Sequence, residues 1–344
     1  MGNVAGAVTA LTELLADLVR ALGPDHPHTL ITRGARAGWQ GEAGDQTGAV
    51  AAYGELLPDL LRVLGPDHPQ TLAVRNNLAR LRGQAGDVAG AISALGELLQ
   101  EQLRVLGPDH PDTLTTRGDL AEWQGRAGNA AGAVSTSSEL LEDQLRLLGP
   151  DHPDILASRS NLAHWQGEAG DVAGAVTAYG DLLQDRLRVL GPDHPETLTT
   201  RNNLAYWQGE AGNPTDAVTA LTELLPDLLR VLGPDHPNTL AARGNVAQWL
   251  RQTGDAAAAI TALTELLQDL LRVLGPDHPR TLVARGNLAG CRWEAGDQAG
   301  AVTAHLELLP DLLRVLGPDH PDTVTARNNL ASWQELAEEA AGGE

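Results

Sequence analysis

Residues 191–234 read GPDHPETLTTRNNLAYWQGEAGNPTDAVTALTELLPDLLRVLGP, and this stretch contains one complete structural unit. Apolar residues after the first proline-containing turn recur every three or four positions until Gly212-Asn213 interrupts the pattern. A second apolar run begins at Pro214 and ends at Gly233-Pro234. This spacing predicts two consecutive amphipathic helices, which we call helix A and helix B.

The start of helix A carries several capping signals. Asp193 is a good N-cap, and His194-Pro195 falls in the first turn, where proline is tolerated. Glu196 is placed to close a capping box with Asp193. We therefore expect the aspartate of this turn to cap helix A.

The pentapeptide Gly-Pro-Asp-His-Pro recurs every 42 residues, without an insertion. Its copies begin at Gly23, Gly65, Gly107, Gly149, Gly191, Gly233, Gly275 and Gly317. A fixed period of this length indicates a solenoid, in which each unit buries its apolar face against its neighbours. The sequence predicts an all-α solenoid of antiparallel helix pairs, with about sixteen helices in a single domain over residues 1–344.

The two ends of the predicted solenoid differ. Residues 1–22 form an unpaired helix B, residues 23–316 form seven units of 42 residues, and residues 317–344 form a terminal helix A. In that last helix the glycine stop is replaced by Glu335-Leu336-Ala337-Glu338-Glu339, and a polar face of this kind is typical of a terminal cap. No comparable cap protects the N-terminal end.

The run Asn203-Leu204-Ala205, followed by Gly212 and Ala217, resembles a tetratricopeptide repeat. The Leu-Gly-Pro-Asp-His-Pro loop and the 42-residue length resemble the longer repeats of kinesin light chains and their bacterial relatives. The resemblance covers essentially the whole chain. It implies a right-handed superhelix whose concave groove, lined by helix A, holds an extended peptide. The chain departs from the family at Gln124, Gln166 and Gln208, where the family usually has Tyr, and Trp stands one residue earlier.

Composition excludes several classes of partner. The formal net charge is -21, and every cation is an arginine, as in proteins from high-GC bacterial genomes. Such a charge repels nucleic acid and anionic membranes, but it permits a basic partner. The N-terminal segment resembles neither a signal peptide nor a membrane span, so we expect a cytoplasmic protein. With Cys291 as the only cysteine, the sequence predicts no disulfide, no metal site and no cofactor.

Eight histidines in the loops could suggest a metal site, but the distance between them is too large for one. Equivalent atoms in neighbouring units lie about 10 Å apart, whereas zinc ligands converge within about 2 Å of one ion. We predict that they cap helix A and contact the loop. These histidines are His26, His68, His110, His152, His194, His236, His278 and His320.

Arginine recurs at two positions of each unit. The arginine of helix A is expected to pair with acids of helix B, such as Glu223 or Asp227. This set comprises Arg33, Arg75, Arg117, Arg159, Arg201, Arg243, Arg285 and Arg327. The arginine near the end of helix B is expected to neutralise the helix C-terminus. This set comprises Arg20, Arg62, Arg104, Arg146, Arg188, Arg230, Arg272 and Arg314.

One position of helix A holds tryptophan in most units. Its occupants are Trp39, Trp123, Trp165, Trp207, Trp249 and Trp333, with Leu81 and Cys291 in the remaining two units. Because leucine and cysteine are both apolar, we interpret this position as packing. Cys291 is then a core residue, and a reactive thiol is the lesser alternative.

A stripe of helix A points away from helix B and supplies the candidate binding residues. In one unit it contains Thr199, Asn202, Tyr206, Gly209 and Glu210. The position of Tyr206 varies most between units, which a core position would not permit. The predicted peptide-binding residues are Asn76, Arg80, Glu122, His164, Asn202, Tyr206, Gln248, Arg251, Trp293 and Asn328.

Asparagine and glycine in this stripe have two interpretations each. The resemblance associates the paired asparagines with ligand contact, and an amide can bond to a peptide backbone. We favour this role for Asn202 and its equivalents, and a bond to a neighbouring helix for Asn203 and its equivalents. Gly41, Gly83, Gly125 and Gly167 share the position of Gly209. Glycine within a helix costs about 1 kcal/mol, which suggests a backbone that another group approaches closely.

The sequence favours a non-enzymatic scaffold that binds an extended peptide or protein. The first alternative is head-to-tail self-association, since an uncapped helix B and a terminal helix A are complementary. The second is a segment of a larger protein, natural or engineered. An enzyme is disfavoured, because no nucleophile, phosphate loop or metal cluster departs from the repeat pattern.

Overall fold

A computed structural model of the chain describes residues 4–318 and 320–342. The described residues form sixteen α-helices and no strand. Helices B are α1 (Val4–Leu22), α3 (Gln46–Val63), α5 (Val88–Val105), α7 (Ala130–Leu147), α9 (Val172–Val189), α11 (Pro214–Val231), α13 (Ala256–Val273) and α15 (Gln298–Val315). Helices A are α2 (Pro27–Glu42), α4 (Pro69–Gln84), α6 (Pro111–Arg126), α8 (Pro153–Glu168), α10 (Pro195–Glu210), α12 (Pro237–Gln252), α14 (Pro279–Glu294) and α16 (Pro321–Gly342). The predicted fold class is confirmed.

The chain divides into two compact units, Met1–Asp171 and Val172–Glu344. Within each unit, every helix packs against the next one along the chain. The expectation of one domain over the whole chain stays a prediction. The acidic end predicted from Glu335 lies on α16, and the side chains of Glu338 and Glu339 are outside the described residues.

The loop histidine, and not the aspartate before it, is the N-cap of helix A. The N–H of Glu196 donates to Nδ1 of His194 at 3.1 Å. The same bond, at 3.1–3.2 Å, forms at each of the eight histidines. The predicted capping role of the histidines is therefore confirmed, and the prediction that Asp193 caps the helix is wrong.

Asp193 is instead bound by the arginine near the end of the following helix B. Nη1 of Arg230 donates to Asp193 at 3.0 Å. The same bridge joins Arg62 to Asp25, Arg104 to Asp67, Arg146 to Asp109, Arg272 to Asp235 and Arg314 to Asp277. The sequence predicted only that these arginines neutralise the C-terminus of helix B. It did not predict their ion pair with the loop aspartate. Each bridge ties the start of one helix A to the end of the helix B that packs on it.

Six arginines of helix A pair with helix B acids, as predicted, whereas Arg327 donates to the carbonyl of Pro318. Arg201 donates to Asp227 at 2.8 Å. Equivalent pairs are Arg33–Asp59, Arg75–Glu101, Arg117–Asp143, Arg243–Asp269 and Arg285–Asp311. Asp227 also accepts from Arg230, and these two guanidinium groups hold its pKa below the usual value.

A buried threonine contacts the turn that leads into helix A, and in three copies, Thr29, Thr71 and Thr281, its hydroxyl bonds to the glycine of the turn. Thr71 is fully buried, and its hydroxyl donates to the carbonyl of Gly65 at 2.8 Å, where Gly65 has a φ of 86°. The fourth copy of the turn has Ile155 in place of threonine, and there Gly149 does not adopt a positive φ. The bond is not required for the left-handed glycine, because the Thr113 hydroxyl has no hydrogen-bond partner although Gly107 also has a φ of 86°.

Neighbouring helices A interlock through glycine and tryptophan. A Cβ atom on Gly83 would lie 2.7 Å from the Trp123 ring, and one on Gly209 would lie 2.4 Å from Trp249. Both indoles are buried. The glycines are thus approached closely, as predicted, but the approaching group is the tryptophan of the next helix A and not a ligand.

The packing interpretation of the tryptophan position is confirmed at its substitutes. Leu81 and Cys291 are buried, and burial raises the pKa of the Cys291 thiol. Trp39 differs, because it is 43% exposed. No helix A precedes α2 among the described residues, so no equivalent glycine covers this indole.

Two glycines of one 42-residue repeat, Gly83 and Gly96, give a matched test of the contact between glycine and tryptophan. Gly83→Ala should lower the free energy of unfolding by about 1–3 kcal/mol, because its Cβ overlaps the Trp123 ring. Gly96→Ala, in open space on α5, should raise it by roughly 1 kcal/mol through helix propensity. Urea unfolding followed by circular dichroism measures both changes. Equal effects of the two substitutions would contradict the interlock.

Candidate functional site

The main cavities lie where two successive helices A run side by side. In each case the walls come from the two helices A, and the floor comes from the helix B between them. The cavity between α2 and α4 has about 410 Å³, that between α12 and α14 about 310 Å³, and that between α14 and α16 about 460 Å³. We call this surface of each compact unit the helix A face. It contains the stripe predicted to bind a peptide.

The two largest of these cavities coincide with glycine at the most variable stripe position. Gly38 lines the cavity between α2 and α4, and Gly290 lines the cavity between α14 and α16. The equivalent residue is arginine, glutamate, histidine, tyrosine, glutamine or serine in the other units. The missing side chain opens the space above the floor.

The floors below these two glycines carry polar rings in place of leucine. Tyr53 and His305 occupy a buried helix B position that holds Leu95, Leu221 and Leu263 in three other units, and Ser137 and Tyr179 in two more. The hydroxyl of Tyr53 would lie 3.1 Å from a Cβ on Gly38. Burial raises the pKa of this phenol, although a hydrogen bond with Asn77 opposes the shift. Each large cavity therefore combines an absent side chain with a polar floor.

Asparagine side chains link successive helices A along the stripe. Nδ2 of Asn245 donates to Oδ1 of Asn202 at 3.2 Å, and Nδ2 of Asn76 donates to Asp119 at 2.9 Å. The bond expected for the second asparagine of each pair is therefore present at Asn245. Asn76 uses its Nδ2 in such a link, and Asn202 uses both polar groups, because its Nδ2 also donates to Oδ1 of Asn203 at 3.3 Å.

Two predicted anchors also contact the next helix A. Nε of Arg251 donates to both carboxylate oxygens of Glu294, at 2.9 and 3.0 Å. The ring of Trp293 stacks on Trp333, with centroids 4.8 Å apart and an interplanar angle of 5°. Arg251 and Trp293 both line the cavity between α14 and α16. Arg251 links α12 to α14, whereas Trp293 links α14 to α16.

The other predicted residues lie at several places on the helix A face. Tyr206 contacts the indoles of Trp207 and Trp249, with centroids 5.2 and 5.7 Å away. Glu122 accepts from Nε of Arg126 at 2.7 Å, and the ring of His164 lies 4.6 Å from Trp165. Arg80 lines the cavity between α2 and α4, Gln248 lines the one between α12 and α14, and Asn328 is exposed on α16.

Sequence reasoning missed Gly38, Gly290, Tyr53 and His305. The stripe was searched for side chains that could contact a ligand, and a glycine offers none. A signal was nevertheless present, because Tyr53 and His305 break a leucine position in the same unit in which glycine occupies the variable position. Reading the two deviations together would have located both cavities.

Residues 4–318 and 320–342 contain no group of three or more His, Cys, Asp or Glu side chains able to hold a metal ion. Within this described part of the chain, no helix is both long and apolar enough to cross a membrane.

A family model described as tetratricopeptide repeat matches residues 71–112, 155–196, 197–238 and 239–280. Each match spans one 42-residue period, which agrees with the interval read from the sequence. The comparison with curated proteins gives no match.

Solved structures of similar repeats include a protein described as a kinesin light chain from Podosopora anserina, with nearly identical TPR-like repeats. It is 26% identical, covers 60% of this chain and 97% of its own, and has a TM-score of 0.50. BtubC from P. vanneervenii is 19% identical over 68% of this chain and 94% of its own, with a TM-score of 0.54. A tetratricopeptide repeat protein from Parabacteroides merdae is 12% identical over 96% of this chain and 99% of its own, with a TM-score of 0.59. The last two show likeness of fold alone.

The Asn76–Asp119 link predicts a pH-dependent stability. Burial raises the pKa of Asp119, so the folded chain holds this proton more tightly than the unfolded chain does. The contribution of Asp119 to stability is therefore lost as pH rises through the raised pKa. Asp119→Asn should stabilise the protein at neutral pH, and the gain should shrink at acidic pH. Thermal unfolding across pH measures it; a gain independent of pH would contradict the assignment.

Proposed function

The chain is a tetratricopeptide-repeat protein, and on that premise we propose that it is a non-enzymatic scaffold that binds an extended peptide or protein segment along the helix A face. The observation that carries the proposal is the position of the cavities. Three cavities of about 310–460 Å³ lie between successive helices A. Cavities of this size accept side chains of a partner.

The chemistry of the helix A face supports a peptide as ligand. Asn77, Asn245, Asn287 and Asn329 all line cavities there. An amide offers both a donor and an acceptor, so it can bond to a peptide backbone of any sequence. Most arginines of the helix A and helix B sets are instead paired with carboxylates within the repeats. The amides thus supply general affinity, and the cavities supply selectivity.

The net charge of -21 favours a basic partner. Long-range attraction raises the rate at which a cationic segment meets an acidic surface, and salt weakens it. We therefore propose that the partner is a basic extended peptide. We also propose that the protein is cytoplasmic.

Head-to-tail self-association is the second candidate; the exposed Trp39 favours it, and Glu335 opposes it. In a stacked pair, Trp39 of one copy would face the position of Glu335 on the α16 of the other, because tryptophan faces this stripe position in each interlock. That position is glycine where the interlock forms, and a glutamate cannot receive an indole in the same way. We therefore expect a mass that does not depend on concentration in sedimentation equilibrium.

Peptide display on the full chain tests the proposed function. Arg80→Ser, Tyr206→Ser and Gln248→Ser together should weaken binding of the selected peptides at least tenfold, since these residues lie on the helix A face. Serine is the natural residue at this position in the last unit, as Ser332.

The matched control changes three exposed glutamines of helix B, namely Gln100, Gln184 and Gln268, to serine. This variant should bind the selected peptides like the unmodified chain. An equal loss in both variants, or no loss in the first, would show that the partner binds elsewhere.

A further inference from the structure

The cavity between α14 and α16 differs from the others in its floor. His305 lies there, it is 2% exposed, and its Nδ1 makes no hydrogen bond of good geometry, although the backbone of Ala301 on the same helix is close enough to raise the pKa of the ring. Its ring also packs edge-on against Trp333, with centroids 4.6 Å apart. A buried polar atom without a well-formed hydrogen bond destabilises the fold, so an imidazole nitrogen of this kind in a cavity wall is a candidate contact for a ligand.

Sister repeats show that the fold does not need this histidine. Leucine occupies the position as Leu221 and Leu263, and both are buried. Tyrosine occupies it as Tyr179, whose hydroxyl accepts from Nδ2 of Asn203 at 3.4 Å. The residue equivalent to Asn203 is Asn329, which also lines the cavity, yet no bond joins it to Nδ1 of His305. Both side chains therefore keep polar groups that a ligand could satisfy.

The walls supply acceptors and aromatic faces. Burial lowers the pKa of His305, and a hydrogen bond with the Ala301 backbone opposes this shift only in part, so the ring is neutral near pH 7 and one nitrogen is an acceptor. The amide oxygens of Asn287 and Asn329 add two acceptors, and the carboxylate of Asp322 adds another. The stacked indoles of Trp293 and Trp333 complete the lining.

We propose that this cavity binds the guanidinium group of an arginine side chain in the partner peptide. The proposal rests on the proposed peptide-binding function and specifies one residue of the ligand. An arginine has five N–H donors and no acceptor, and its planar group stacks on aromatic rings. It therefore matches a site that is rich in acceptors and flanked by two indoles.

Charge supports the same ligand. Arg251 and Glu294 neutralise each other at the rim, through a contact of 2.7 Å, and Asp322 then leaves the lining negative. A carboxylate or phosphate ligand would be repelled by Asp322. An apolar side chain would leave the His305 nitrogen without a partner.

Neighbouring units provide substitutions that the fold already accommodates. Gly290→Gln introduces the residue found at this position as Gln248, and it should fill the cavity from its rim. His305→Leu introduces the residue found as Leu263, and it should remove the floor acceptor. Gly96→Gln, in open space on α5, is the matched control. Circular dichroism verifies that all three variants keep their helix content.

The test uses N-acetyl-arginine N-methylamide as the probe, with the lysine, leucine and glutamate analogues beside it. Its binding is followed through the indole N–H resonances of the full chain, assigned by Trp293→Phe and Trp333→Phe. The arginine analogue should shift both resonances at millimolar concentration. Binding should weaken at least tenfold in Gly290→Gln and His305→Leu, and it should be unchanged in Gly96→Gln.

Several outcomes would overturn the proposal. These are equal shifts with the lysine or leucine analogue, equal binding in Gly290→Gln, or no shift with arginine. The probe needs no selected peptide, so this result is independent of the display experiment. If display yields peptides that Gly290→Gln still binds, the arginine site fails while the peptide-binding function stands. If the arginine analogue binds but display yields no peptide, the arginine site stands while the peptide-binding function fails.

Discussion

The insertion of a tryptophan into a glycine of the preceding helix A sets the spacing on which the rest of the structure depends. At Gly83–Trp123, Gly125–Trp165 and Gly209–Trp249, no side chain could separate the two partners. Because glycine within a helix costs about 1 kcal/mol, the interlock must return more than this through burial of the indole. It holds neighbouring helices A close together, and the helix B between them then forms a floor.

In the last repeats other side chains replace the glycine or the tryptophan of this contact. Cys291 is small, and the position that would otherwise be glycine holds Arg251, which reaches Glu294. Trp293 replaces the glycine that would receive Trp333, and the two rings stack instead. With Gly290 and His305, these changes turn a packing surface into a lined cavity. The proposed ligand site is therefore a local departure from a repeat that is otherwise preserved.

Much of the fold was predictable from the sequence, because a solenoid repeats its signals. Glycine after each helix, the constant interval and the apolar spacing placed the sixteen helices. The predictions that failed were those that had to choose between two neighbouring polar residues for one role, such as the N-cap of helix A. Asp193 and His194 are both able to cap, and only the structure shows that Arg230 takes the aspartate. The helix B arginines were given a helix terminus as partner because their true partner lies 37 residues earlier.

The candidate site was predictable in its location but less so in its content. Helical periodicity identified the stripe, since faces depend only on the angle per residue. The contacts of Asn202 and Arg251 depend on the offset between successive units, which a single helix cannot reveal. The cavities at Gly38 and Gly290 arise from absent side chains, and a search for contact residues passes over them. The sequence signal for these cavities was that each glycine occurs in the same unit as a polar ring, Tyr53 or His305, on the cavity floor.

The central claim, that the partner lies on the helix A face, is tested most directly by site-specific photo-crosslinking. A photoreactive amino acid is placed at Gln248 on helix A or at Gln268 on helix B, and a selected peptide is added under light. The account predicts a covalent adduct from position 248 and none from position 268. Adducts from position 268 alone, or equally from both positions, would contradict it.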